Sequence, residues 1–148
     1  MHISIQHGNV KPNLWFLSKY FMNFILNNCG NRVYSEHYNL ENVVYDFSIG
    51  ANNNHLFSSI MKGDEVVVLS YADINSRDSV VAVTYCVERL ELTHDYYKAG
   101  RTSPPCGLVI GYELMKYTFL KFQAVVMFPE MFDKNGNFKR GVNIKEHA

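Results

Sequence analysis

Residues 55–92 read HLFSSIMKGDEVVVLSYADINSRDSVVAVTYCVERLEL, and this run decides the fold class. His55 to Met61 reads as a short helix closed by Lys62 and Gly63, glycine being the residue that ends helices in left-handed backbone. Glu65 to Tyr71 is then a strand, joined by a turn from Asp73 to Ser79 to a second long strand from Val80 to Leu92. In that second strand Val81, Val83, Tyr85 and Val87 share one face, whereas Leu90 and Leu92 fall on the other parity. The slip around Glu88 and Arg89 predicts a β-bulge, the device that bends long strands around small barrels.

Upstream, His2 to Gln6 alternates as a first strand, and Asn13 to Asn28 reads as a helix with Leu14, Leu17, Phe21 and Ile25 on one face and Gly30 as its stop. Arg32 to Leu40 alternates as a strand, Asn42 to Ile49 is apolar on both parities, and Gly50 to Asn54 is a polar loop. Downstream, Lys98 to Gly107 is a Gly/Pro loop, and Leu108 to Phe122 reads as a strand followed by a helix. Gln123 to Phe128 reads as a short strand stopped by Pro129, and Asn135-Gly136 is a type I′ turn signal before Phe138 to Ile144. No internal repeat, linker or low-complexity tract divides residues 1–148, so the expected architecture is a single α+β domain. It is built on a curved, mostly antiparallel sheet or small β-barrel with flanking helices.

Composition narrows the class. At 148 residues with 47% apolar and 19% charged residues, the chain can bury a full core without disulfides or metals and lies far from disordered compositions. Lysine plus arginine equals aspartate plus glutamate at 14 each, so no global field draws it to nucleic acid or to an anionic membrane. Cys29, Cys86 and Cys106 form an odd set without a C-x-x-C pair, and no apolar signal-peptide core follows Met1; reduced thiols in a cytoplasmic protein are the simplest expectation. The most apolar stretch, Leu14 to Leu26, is too short to cross a bilayer. Frequent Asn, Tyr, Phe, Ile and Lys accords with an AT-rich genome or a mobile element such as a phage.

No phosphate-binding Gly loop, G-x-S-x-G, H-E-x-x-H or Cys/His metal spacing is present, which points to no cofactor, no metal and a binder rather than an enzyme. His94, Asp95 and Cys106 have the residue types of a thiol–imidazole pair, though His94 and Asp95 serve equally as the end of a strand. The histidines offer no helical i, i+4 pair. Lys134, Lys139, Arg140 and Lys145 make the C-terminal hairpin locally basic, and Lys98 with Arg101 adds charge to the Gly/Pro loop; either cluster is a phosphate contact or a solvated face. Trp15, Tyr34, Tyr38, Tyr71, Tyr96 and Tyr97 supply ring faces on which a base can stack without net charge.

The order from His55 to Leu92, a short helix, Lys62-Gly63-Asp64, a strand, a turn and the Val81-Ala82-Val83 strand, resembles a segment of the PUA-like barrels, which include EVE, YTH and ASCH domains. An early strand and an aromatic helix ahead of it fit the same order. The ASCH-type Gly-x-Lys signature has no counterpart here, and Trp15, the only tryptophan, cannot form a cage of three. The resemblance implies a module that binds RNA, single-stranded DNA or a modified nucleotide by reading a base in a pocket between barrel and helices. On that expectation Trp15 and Tyr71 are the stacking faces, and Arg101, Thr102 and Ser103 reach a phosphate or base edge. Two other classes compete: a small inhibitor or interaction protein that presents an aromatic patch to a host protein, and a nucleotide-acting enzyme with a buried titratable group in a cleft.

Overall fold

The computed structural model describes residues 23–28, 33–49, 55–73, 75–93 and 106–147. These form a single, mostly β domain: a six-stranded mixed sheet, mostly antiparallel and curled into a half-barrel, with two short helices. In chain order the elements are β1 (Asn23–Asn27), α1 (Tyr34–Tyr38), β2 (Val43–Ser48), a 3₁₀ turn (His55–Ser59), β3 (Glu65–Asp73), β4 (Ser76–Thr93), β5 (Cys106–Leu120), α2 (Lys121–Met127), a second 3₁₀ turn (Pro129–Met131) and β6 (Ile144–Glu146). The sheet order is β2-β5-β4-β3-β1-β6. Among the described residues only the β1–β3 pairing is parallel.

The central hairpin is the frame. β3 and β4 pair from Glu65–Cys86 to Asp73–Ser76, so the strands run closer to the turn than the sequence pattern indicated. The expected slip in β4 is present: between Val87–Gly111 and Arg89–Ile110 the register shifts, leaving Glu88 as an extra residue. The Lys62-Gly63-Asp64 turn holds that bulge. Gly63, at φ 94°, donates its N–H to the Val87 carbonyl at 2.9 Å, and the Val87 N–H returns to the Asp64 carbonyl at 2.8 Å. The buried Asp64 carboxylate accepts the Met61 N–H at 2.8 Å, which satisfies it inside the core. A second, opposite irregularity lies between Tyr85–Glu113 and Thr84–Met115, where β5 carries the extra residue, Leu114. The two bulges cancel in register.

The curl brings the two ends of the sheet together. Tyr45 on β2 donates its hydroxyl to the Asn27 carbonyl on β1 at 2.5 Å, although three strands separate β2 from β1 in the sheet. The inner face holds one core of Phe24, Leu26, Tyr45, Val66, Val68, Val87, Val109 and Ile144, capped by Phe57 and Ile60. There Phe57 stacks on Phe47 at 4.1 Å and on Tyr45 at 5.6 Å between ring centres. Phe47 lies over Gly107, where any Cβ would enter its ring. The outer face is covered at one end by α2 and the C-terminal segment, over Ile25, Leu69, Tyr71, Val80 and Ala82. At the other end α1 packs Tyr34 and Tyr38 against Val43, Leu108 and Ile110.

Four local readings are corrected. The last part of the expected Asn13 to Asn28 helix is β1: Phe24, Ile25 and Leu26 are all buried, because the strand lies between β3 and β6 with core on both faces. A strand buried on both sides has the same continuous apolar run as a core helix. The expected Arg32 to Leu40 strand contains α1 instead; Tyr34 and Tyr38 are one helical turn apart, and Asn39 ends the helix in left-handed backbone at φ 53°. The expected Gln123 to Phe128 strand belongs to α2, where the Gln123 side chain accepts the Leu120 N–H at 2.9 Å and Ala124 and Phe128 share the buried face. The Asn135-Gly136 turn is not type I′, which needs positive φ at both residues; only Gly136 has it, at 80°, while Asp133 accepts the Asn135 N–H.

Candidate functional site

The curl leaves a cleft of about 260 Å³ on the inner face, beyond the Tyr45–Asn27 bridge. Each wall comes from a different element. β1 ends there at Asn28, α1 begins there with Val33, Tyr34 and Ser35, β2 contributes Val43 and Val44, and the central hairpin contributes Val68, Ser70, Val83 and Tyr85. Val68 pairs with Val83, and Tyr85 with Val66, so Val68, Ser70, Val83 and Tyr85 share the inner face by the period-2 rule of the two strands. The Asn28 N–H is held by the Leu69 carbonyl at 2.8 Å, which fixes the rim against β3.

The lining carries no formal charge, only amide, hydroxyl and phenol groups among valines. Burial pushes the Tyr85 phenol above its ordinary value, and the Glu113 carboxylate across the β4–β5 pair pushes it the same way. Tyr85 therefore stays a neutral hydrogen-bond donor with a half-buried ring. Tyr34 is buried with its ring tilted against Tyr45 at 6.0 Å, so it forms the floor at that side. Such a cleft can take a small planar, uncharged group by apolar contact and a few polar bonds; its size is at the lower end of ligand pockets, roughly 300 Å³ upward.

Tyr71 is buried on the outer face, its ring 4.9 Å from that of Phe138 and under the Arg77 guanidinium at 5.2 Å. It does not line the cleft. Trp15, Arg101, Thr102 and Ser103 lie outside the described residues, as do His94, Asp95, Tyr96, Tyr97, Lys98 and Cys29. Cys106 is buried at the start of β5, and its thiol shares a hydrogen bond with Tyr38. The basic hairpin residues Lys134, Lys139, Arg140 and Lys145 take no part in the cleft lining. The residues expected to form a site did not include Ser70 or Tyr85, which line this cleft. The available signal was the position of Tyr85 on the same strand face as Val81 and Val83.

A second concavity, about 300 Å³, lies on α2 between Phe119, Phe122, Gln123, Val126 and Met127, and is almost wholly apolar. Among the described residues no group of three or more His, Cys, Asp or Glu side chains is placed to hold a metal ion. No helix among them is long and apolar enough to cross a membrane. Comparison of the chain with protein-family models, curated proteins and solved structures gives no match.

Proposed function

We propose that the protein is a binding module that takes a base of single-stranded nucleic acid, or a modified nucleotide, into the inner-face cleft. The observation that carries this reading is the uncharged cleft with a half-buried, neutral Tyr85 on one wall and Ser35, Ser70 and Asn28 around it. A base offers a flat apolar face and polar edges, which is the complement of that lining. The PUA-like resemblance belongs to the same proposal and is supported by the 3₁₀ turn, the Gly63-Asp64 turn and the bulged second hairpin strand in that order. Trp15 and the Arg101, Thr102 and Ser103 loop remain candidates for a second stacking face and a phosphate contact.

The test is titration of the full chain with single-stranded RNA, single-stranded DNA and modified nucleotides. Tyr85→Ala should weaken binding by about 1–3 kcal/mol, and Tyr85→Phe should keep most of it, because stacking needs the ring and not the hydroxyl. Ser70→Phe, which fills the cleft, should remove binding and leave the far-ultraviolet circular dichroism unchanged. Base binding in the cleft should depend little on salt, since among the described residues no cation lines it. Absence of saturable binding at micromolar protein overturns the reading.

A second reading, a module that presents an apolar surface to a host protein, is favoured by the α2 concavity and its exposed Phe122, Val126 and Met127. Val126→Asp separates the two: it should abolish capture of a protein partner and leave nucleotide binding intact.

A further inference from the structure

β5 outruns its neighbour. β2 pairs with it only from Cys106 to Ile110, and the last bond to that side is the Gly111 N–H to the Asn42 carbonyl at 2.9 Å. Among the described residues nothing pairs with the β5 edge from Tyr112 to Leu120, while β4 holds its other edge throughout. Tyr112, Leu114, Met115, Tyr117 and Leu120 are 45–57% exposed there. Proteins blunt such edges with short strands, prolines or covering segments, because a long apolar edge is a template for another strand. This edge carries two charges, Glu113 and Lys116, and among the described residues neither makes an ion pair.

We infer that the occupant of this edge is a second copy of the chain, added antiparallel across a two-fold axis between Leu114 and Met115. The argument is charge complementarity made possible by the bulge. A two-fold axis normal to a sheet keeps each residue on its own face, so partners across it must share a face. In a regular strand Glu113 and Lys116, three apart, lie on opposite faces and cannot meet. Here Leu114 is the extra residue, so Glu113 sits opposite Tyr85 and Lys116 opposite Val83, two apart on β4 and therefore on one face. Tyr112 and Tyr117 likewise oppose Cys86 and Ala82, four apart and on the other face. The symmetric register then sets Glu113 against Lys116 of the second copy and Tyr112 against its Tyr117, each pair occurring twice. Moving the second copy by one same-face step opposes Glu113 to Glu113 in one direction and Lys116 to Lys116 in the other, and removes both ion pairs, so charge fixes the register.

Sedimentation equilibrium of the full chain, with thermal melts to confirm folding, tests this. The wild type is expected as a dimer. Glu113→Lys and Lys116→Glu should each weaken dimerisation by about tenfold, since like charges then face each other twice. The double reversal, Glu113→Lys with Lys116→Glu, should restore the wild-type dissociation constant to within about threefold. A double variant as weak as the singles overturns the register, and an open series of larger species overturns the closed two-fold pairing. A wild type that stays monomeric to about 100 μM assigns the edge to another occupant and overturns the proposal.

Discussion

The two halves of β5 are one strand of similar apolar content with opposite fates. From Cys106 to Gly111 every residue is buried; from Tyr112 to Leu120 all but Phe119 are exposed. In the first half β2 and β4 occupy both edges, α1 covers Leu108 and Ile110, and Val109 points into the inner core. Among the described residues the second half has β4 alone, and there Phe119 gains cover, its ring 6.1 Å from Phe128 beyond α2. Burial in a strand is thus conferred by the neighbours the chain supplies, and hydrophobicity is only the permission for it. Gly111 marks the boundary, because a Cβ there would press on the Cys86 carbonyl and the Val87 backbone at the β4 bulge.

The comparison breaks first if the buried half does not hold the fold. Leu108 is fully buried there among Val43, Tyr34 and Tyr38. Leu108→Ala should cost about 2–5 kcal/mol in urea denaturation, through lost apolar transfer plus the cavity left behind. A cost below about 1 kcal/mol, within the range of ordinary surface changes, makes the two halves energetically alike.

The next effect is sharper in pH than in size. Tyr38 fastens α1 over the buried half by donating its hydroxyl to the Asp46 carboxylate at 2.6 Å. Burial raises its phenol well above the ordinary 10.0, and the hydrogen bond and charge of Asp46 raise it further. A tyrosine raised in the folded state contributes stability that is complete below pH 10 and falls as pH rises beyond it, because only the unfolded chain then ionises freely. Tyr38→Phe should cost about 1–2 kcal/mol at neutral pH by removing a donor from a carboxylate, and should flatten the alkaline fall in stability. Equal slopes for the two proteins above pH 10 would show that Tyr38 does not carry the effect.

This contrast also marks where the sequence was legible. The central hairpin and its bulge were, because Val81, Val83, Tyr85 and Val87 alternate on one face and the parity change at Glu88 is a local signal with a single physical meaning. β1 was not, since Phe24, Ile25 and Leu26 satisfy a helix face and a doubly buried strand equally, and only pairing with β3 decides. The second bulge at Leu114 was missed although its signal was of the same kind: the apolar set passes from Tyr112 and Leu114 to Met115, Tyr117 and Phe119, changing parity, in a stretch where a strand was expected to give way to a helix. The cleft needed the curl itself, which draws Asn28, Tyr34 and Tyr85 together from elements far apart in the chain. Tyr71 was expected as a stacking face and Tyr85 was not, yet strand parity sends Tyr71 to the outer core and Tyr85 to the inner wall.

The smallest effect is the most discriminating. Tyr117 lies in the exposed half, 57% accessible, with its ring 6.0 Å from Phe119. A surface side chain of this kind contributes within about 0.5 kcal/mol to folding, so Tyr117→Ser should leave the urea midpoint of the monomer almost unmoved. The same change deletes two of the cross-strand aromatic pairs expected between copies, and should weaken self-association by about threefold to tenfold at each concentration series. Stability and association then separate along one strand: Leu108→Ala lowers the first, and Tyr117→Ser lowers only the second. If Tyr117→Ser instead destabilises the monomer by more than about 1 kcal/mol, its ring is part of the core around Phe119, and the exposed half of β5 is shorter than its accessibility indicates.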